Sequence, residues 1–134
     1  MLYYFEPHVP GEFGDKSIVD HRFEPFKVYH LDMVFDFTPD DFCQSFPLYF
    51  VSEKLLNKLI DSKISGFDNP RLITHEQNEQ SPIKYNNTKY FMIDILNDEK
   101  NDMFKKNGRL YINEKVNEIL KGFNIRLGQI SLVT

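Results

Sequence analysis

The chain has little cysteine: Cys43 is the only one among 134 residues. A lone thiol excludes an internal disulfide and cannot by itself build a structural zinc site, which fits a reducing compartment. No apolar stretch approaches the roughly 20 residues that a membrane helix needs. The opening Met1-Leu2-Tyr3-Tyr4-Phe5-Glu6 has neither a basic n-region nor a small-residue cleavage site. The expectation is a cytoplasmic protein with no membrane partner. A basic stripe that could track a phosphate backbone is also missing, which argues against a nucleic-acid partner. Gly11-Glu12-Phe13-Gly14 lacks the lysine and Ser/Thr of a phosphate loop, and Asp94, Asp98, Glu99 and Asp102 depart from EF-hand spacing. His8, His21 and His75 show no metal-ligand spacing. No cofactor or metal is expected.

What is present is aromatic and unevenly charged. Hydrophobic residues make up 41% and aromatics 15%, enough for one sizeable core, so residues 1–134 read as a single domain. The net charge is −4, yet residues 1–52 hold nine acidic side chains against three basic ones, while residues 53–134 hold eleven against thirteen. The acidic part also contains 13 of the 20 Phe and Tyr residues. An acidic, aromatic surface suits a basic protein partner.

One phrase occurs twice: Leu48-Tyr49-Phe50-Val51-Ser52-Glu53-Lys54-Leu55 and Leu110-Tyr111-Ile112-Asn113-Glu114-Lys115-Val116. In each, a short apolar run meets a capping residue, Ser52 or Asn113, then Glu-Lys, a helical apolar period and a Gly-Phe stop at Gly66-Phe67 or Gly122-Phe123. This reads as strand, cap, helix, stop. The first helix, about Glu53 to Lys63, would bury Leu55, Leu56, Leu59, Ile60 and Ile64; the second, Glu114 to Lys121, would bury Val116, Ile119 and Leu120.

Further strands are expected at Leu2–Glu6, Val28–Phe37, Arg71–Thr74, Tyr90–Leu96 and Ile130–Val133. His8–Lys27 reads as a long irregular loop and His75–Lys89 as a flexible polar one. Thr38-Pro39-Asp40-Asp41 has the form of a helix start, with Ser45-Phe46-Pro47 closing that short helix. Asn107-Gly108 is a turn signal. The sum is an α+β fold: a mixed β-sheet of about six strands with two or three helices packed mainly on one face.

In the Val28–Phe37 strand, Tyr29, Leu31, Met33, Phe35 and Phe37 would face the core and His30, Asp32, Val34 and Asp36 the solvent. His30 with Asp32 is the best material for acid and base chemistry, so a small enzyme is one alternative and a structural interaction module another. Cys43, beside Phe42 and Phe46, reads as a small buried hydrophobe. The His8–Phe26 loop, the polar strand face and Asp40-Asp41 remain as a recognition surface.

The stretches Val34-Phe35-Asp36-Phe37, Asp40-Asp41-Phe42 with Ser45-Phe46-Pro47, and Phe50-Val51-Ser52-Glu53-Lys54-Leu55 with the Gly66-Phe67 stop resemble a family of small bacterial immunity proteins. So do the opening Tyr4-Phe5-Glu6-Pro7, Val9-Pro10-Gly11 and Val19-Asp20, and the second unit Tyr111-Ile112-Asn113-Glu114-Lys115. The resemblance covers residues 3–67 and 107–124; residues 75–106 depart from it. It implies an immunity protein of a polymorphic-toxin or contact-dependent growth inhibition system, a non-enzyme that occludes a cognate, basic toxin C-terminal domain in the cytoplasm. The residues expected at that interface are Glu12, Asp15, Asp32, Asp36, Asp40 and Asp41 for charge, with Phe13, Phe23 and Tyr29 as aromatic anchors.

Overall fold

The computed structural model describes residues 1–80 and 87–134. Among these are thirteen strands and two helices, arranged in several sheets rather than the one sheet expected from sequence. In chain order they are β1 (Leu2–Glu6), β2 (Gly11–Phe13), β3 (Ile18–Asp20), β4 (Lys27–His30), β5 (Asp32–Phe35), β6 (Phe42–Ser45), β7 (Leu48–Ser52) and α1 (Glu53–Asp61). There follow β8 (Phe67–Leu72), β9 (Thr74–Gln77), β10 (Tyr90–Ile95), β11 (Met103–Lys106), β12 (Arg109–Asn113), α2 (Glu114–Leu120) and β13 (Gln129–Leu132).

The repeated phrase marks two units of one topology. A hairpin (β6–β7 or β11–β12) runs into a helix and then a return strand (β8 or β13). Sheet order is β6-β7-β10-β8 in one and β11-β12-β1-β13 in the other, antiparallel throughout. The strands joined by each helix are therefore parallel to one another but not adjacent. β10 separates one pair, and the N-terminal β1 fills the same slot in the other. The caps act as read: the Ser52 side chain accepts from the Leu55 amide at 3.4 Å and that of Asn113 from the Val116 amide at 3.1 Å.

The glycine stops act differently. Lys63, at φ 57°, takes the left-handed position after α1, whereas Gly66 is needed because a Cβ there would lie 1.8 Å from the Met103 carbonyl oxygen. At Asn107-Gly108 both residues have positive φ, as a tight hairpin turn requires.

Sheet β6-β7-β10-β8 is covered on both sides, because successive side chains of a strand point to opposite faces. Tyr49, Val51, Ile93 and Ile95 enter a first core with Phe5, Leu110 and Ile112 of the β1 sheet and with Leu55, Leu59, Val116 and Leu120 of the helices. Phe50, Tyr90 and Met92 enter a second core with Leu31, Met33, Phe35 and Ile73. That second core lies under the three-stranded sheet β2-β5-β9, in which β5 and β9 are parallel. Ile60, expected on the buried face of α1, is exposed.

Four sequence readings change. The segment after Thr38 is no helix: Phe42 and Cys43 sit on opposite faces of β6, one in each core, and only an extended chain separates neighbours that way. The His8–Lys27 loop contains β2 and β3. The Val28–Phe37 strand breaks at Leu31 into β4 and β5, so Leu31, Met33 and Phe35 are buried while Tyr29 and Phe37 are exposed. Of the polar loop at His75–Lys89, the first residues form β9, and residues 81–86 lie outside the described residues.

Candidate partner-binding face

The outer face of the β2-β5-β9 sheet gathers part of the expected acidic surface. Register places Glu12 and Glu76 on either side of Val34, and Thr74 opposite Asp32. Directly opposed residues project to the same side, so Glu12, Val34 and Glu76 form one row across the sheet. Glu12, Asp15 and Glu76 are exposed. Asp36 continues the line half-buried, accepting from Asn78 Nδ2 at 2.8 Å. No lysine or arginine occurs in β2, β5 or β9. Glu76 and Thr74 were missed in the sequence because the segment was read as a strand end running into a loop. The signal available was the short alternation Thr74, His75, Glu76, in which His75 turns inward against Phe35 and Tyr90.

Asp32 belongs to this face by alternation, but it is buried under the 14–17 loop. Its carboxylate accepts from Thr74 Oγ1 at 2.6 Å and from the Lys16 amide at 3.3 Å. Its own carbonyl accepts from the Gly14 amide and from Ser17 Oγ, which in turn receives the Asp32 amide. Glycine at position 14 permits the approach, since a Cβ there would lie 2.2 Å from Asp32 Oδ2. His30 Nε2 lies 3.1 Å from Thr74 Oγ1. The Thr74 proton is committed to Asp32, so the imidazole donates through Nε2 and the order is His30, Thr74, Asp32. A hydroxyl nucleophile needs its base at the hydroxyl proton and the carboxylate behind the base; here the hydroxyl stands in the middle.

Asp40 and Asp41 lie elsewhere and correct the expected interface. Asp40 is fully buried; its Oδ2 accepts from the amides of Leu127 and Gly128 at 2.8 and 2.9 Å. Asp41, also buried, accepts from the Asn124 amide at 2.8 Å and stands 3.6 Å from Lys54 Nζ. The two carboxylates clamp the segment after α2 onto the start of β6 instead of facing a partner. Asp40 Oδ1 has no hydrogen-bond partner among the described residues and faces His8 Nδ1 at 4.0 Å. Nδ1 accepts from the Asp40 amide at 3.3 Å. Burial pushes the His8 pKa below its ordinary value, with the Asp40 charge opposing and Arg126 adding to the depression. The buried Cys43 thiol donates to the Asp40 carbonyl, and burial pushes its pKa well up, which keeps it protonated and unreactive.

The expected aromatic anchors separate. Phe13 points to the opposite side of β2 from Glu12, half-buried against the second core and edge-on to Phe26 at 6.1 Å. Phe23 is exposed beneath Lys27 Nζ, which stands 4.0 Å from the ring centre. Tyr29 is exposed as well: among the described residues β4 pairs with the short β3 alone, and its Lys27–Tyr29 side is left uncovered. Phe23, Tyr29, Leu48, Arg71 and Lys105 line a groove of about 590 Å³. Within it, Arg71 binds Asp94 at 2.9 Å; burial raises the Asp94 pKa, but the bonds from Arg71 and Asn69 outweigh it and the net shift is downward. Phe46, read from sequence only as the end of a helix, protrudes at 74% exposure beside a second groove of about 420 Å³.

Comparison with protein-family models, with curated proteins and with solved structures finds no match. No helix among the described residues is long and apolar enough to cross a membrane, and no group of three or more His, Cys, Asp or Glu among them could hold a metal ion.

Proposed function

We infer that this chain is a protein-binding module of the immunity type, which neutralises a cationic toxin domain by covering it. The observation that carries the reading is the row Glu12, Val34, Glu76 with Asp36 and Asp15 nearby, on a sheet whose strands hold no lysine or arginine. Two glutamates separated by one strand stand about 10 Å apart, about one Debye length at 0.1 M salt. Like charges across a sheet destabilise it by a few tenths of a kcal/mol. A cationic surface laid on this face removes that repulsion and gains attraction, so the free protein is poised for a basic partner. The carboxylates take the place of substrate phosphates in a basic cleft, and complementary fields speed encounter. The exposed rings of Phe23 and Tyr29 offer a separate aromatic surface for anchoring.

The resemblance of residues 3–67 and 107–124 to bacterial immunity proteins gives the partner its class: a toxin C-terminal domain acting in the same cytoplasm. The order of His30, Thr74 and Asp32 favours binding over catalysis, because the hydroxyl gives its proton to the carboxylate and not to the imidazole.

The test is growth rescue with co-purification. The chain is co-expressed with the toxin domain encoded directly upstream, as wild type and as the Glu12→Lys/Glu76→Lys variant. Rescue by wild type and its loss in a variant that keeps its unfolding temperature support the reading. Rescue by both removes the acidic face from the interface, and rescue by neither removes that toxin as the partner.

A further inference from the structure

The sheet edges of this molecule are guarded in different ways, with one exception. β11 carries Lys105 and Lys106, and main-chain bonds to Leu96 and Ser65 cover its outer side. β6 is covered by a bridge to His8 and by the Gln44 side chain reaching Pro7. β8 contains Asp68, Pro70 and Arg71 and faces a register irregularity in β10; β9 carries Glu76 and β4 carries Lys27. β2 and β3 have only three residues each, with Glu12 and Asp20 among them. Edges blunted by charge, proline, brevity or cover resist pairing with other chains. Among the described residues nothing of the kind guards β13. Gln129-Ile130-Ser131-Leu132 and the following Val133-Thr134 have no charged side chain and no proline, and Leu132 and Val133 are 46% and 42% exposed.

The ladder fixes what this edge offers. β13 pairs with β1 so that Leu132 opposes Tyr3 and Ser131 opposes Tyr4, and the Val133 amide donates to the Leu2 carbonyl. Hydrogen-bonded pairs alternate in an antiparallel ladder. Val133, Ser131 and Gln129 therefore bond to β1, while the amides and carbonyls of Ile130 and Leu132 point outward. Two such residues, one position either side of Ser131, are self-complementary about a twofold axis.

We propose that β13 pairs antiparallel with β13 of a second copy, the axis passing beside Ser131. Ile130 of each copy exchanges both main-chain hydrogen bonds with Leu132 of the other, and Ser131 faces Ser131. Ile130 and the partner's copy of Leu132 then touch on the inner side, where β13 borders a groove of about 470 Å³ lined by Leu120, Phe123, Ile125 and Ile130. The two four-stranded sheets become one of eight strands. The absence of charge on β13 is what lets a strand meet its own copy without repulsion.

Sedimentation across a concentration series tests this on the 134-residue chain, with the unfolding temperature of every variant recorded. Leu132→Pro removes an outward amide and keeps the ladder to β1, a position where edge strands tolerate proline. It is expected to weaken the dimer on the order of thirtyfold, the effect of two net hydrogen bonds. Ser131→Lys and Ser131→Glu are each expected to be monomeric and to form a mixed dimer when combined. A wild type that stays monomeric, or a Leu132→Pro variant as dimeric as wild type, overturns the proposal. Failure of the lysine and glutamate variants to pair overturns the Ser131 register.

Discussion

Two groups of carboxylates in this chain have opposite fates. Asp40 and Asp41 are buried where the segment after α2 meets β6, and one oxygen of each carboxylate accepts from main-chain amides. Glu12, Asp15 and Glu76 stand exposed on or beside the β2-β5-β9 sheet, and Asp36 next to them accepts from Asn78. Asp32 belongs to the second face by alternation and to the first group by chemistry. What separates the groups is the availability of unpaired backbone donors. Burying a carboxylate is costly unless hydrogen-bond donors replace the water it loses, and the amides of Asn124, Leu127 and Gly128 do so for Asp40 and Asp41. Glu12, Asp15 and Glu76 stay exposed to solvent.

The comparison is broken most severely at Asp40. Asp40→Ala leaves the part-buried Leu127 and Gly128 amides without their acceptor, and the expected loss is about 2–3 kcal/mol in chemical denaturation. A loss below about 1 kcal/mol would mean that the 124–128 segment repacks without its clamp. Asp41→Ala removes one main-chain acceptor, and its ion pair to the largely exposed Lys54 adds little; about 1–2 kcal/mol is expected.

The histidine in the same joint makes stability depend on pH. Because the folded His8 holds its proton less tightly than the unfolded one, the unfolded state is protonated first as pH falls. The contribution is complete above the ordinary histidine value of 6.5 and is lost as pH drops through it. Thermal unfolding midpoints should therefore fall between about pH 7 and pH 5, and His8→Asn, whose carbonyl oxygen can accept the Asp40 amide, should flatten that slope. An unchanged slope in the variant would assign the dependence to another group. The smallest effect belongs to the exposed group. Glu12→Gln with Glu76→Gln should leave stability unchanged or raise it by a few tenths of a kcal/mol, with the gain shrinking as salt is added.

The legible parts of this chain were those whose signal is local. Both caps, both helices, the Asn107-Gly108 turn and the inward set Leu31, Met33 and Phe35 follow from short-range pattern. The helix expected at Thr38–Ser45 failed because Asp40, read as an acid of its first turn, serves amides 87 and 88 residues away, which nothing local announces. Tyr29 was misplaced because alternation cannot say where a strand leaves the sheet that covers it. The acidic face was half legible: Glu12 and Asp36 were found, but Glu76 required knowing that β9 lies parallel to β5.

The most direct test of the central claim is the affinity for the upstream-encoded toxin domain of two variants measured side by side, Glu12→Lys/Glu76→Lys and the joint variant Asp41→Ala. The expected result is a steep, salt-dependent loss of binding in the first, with its unfolding temperature kept, and wild-type affinity in the second despite its lower stability. Wild-type affinity in the first would contradict the account, because the acidic face would then have no part in recognition.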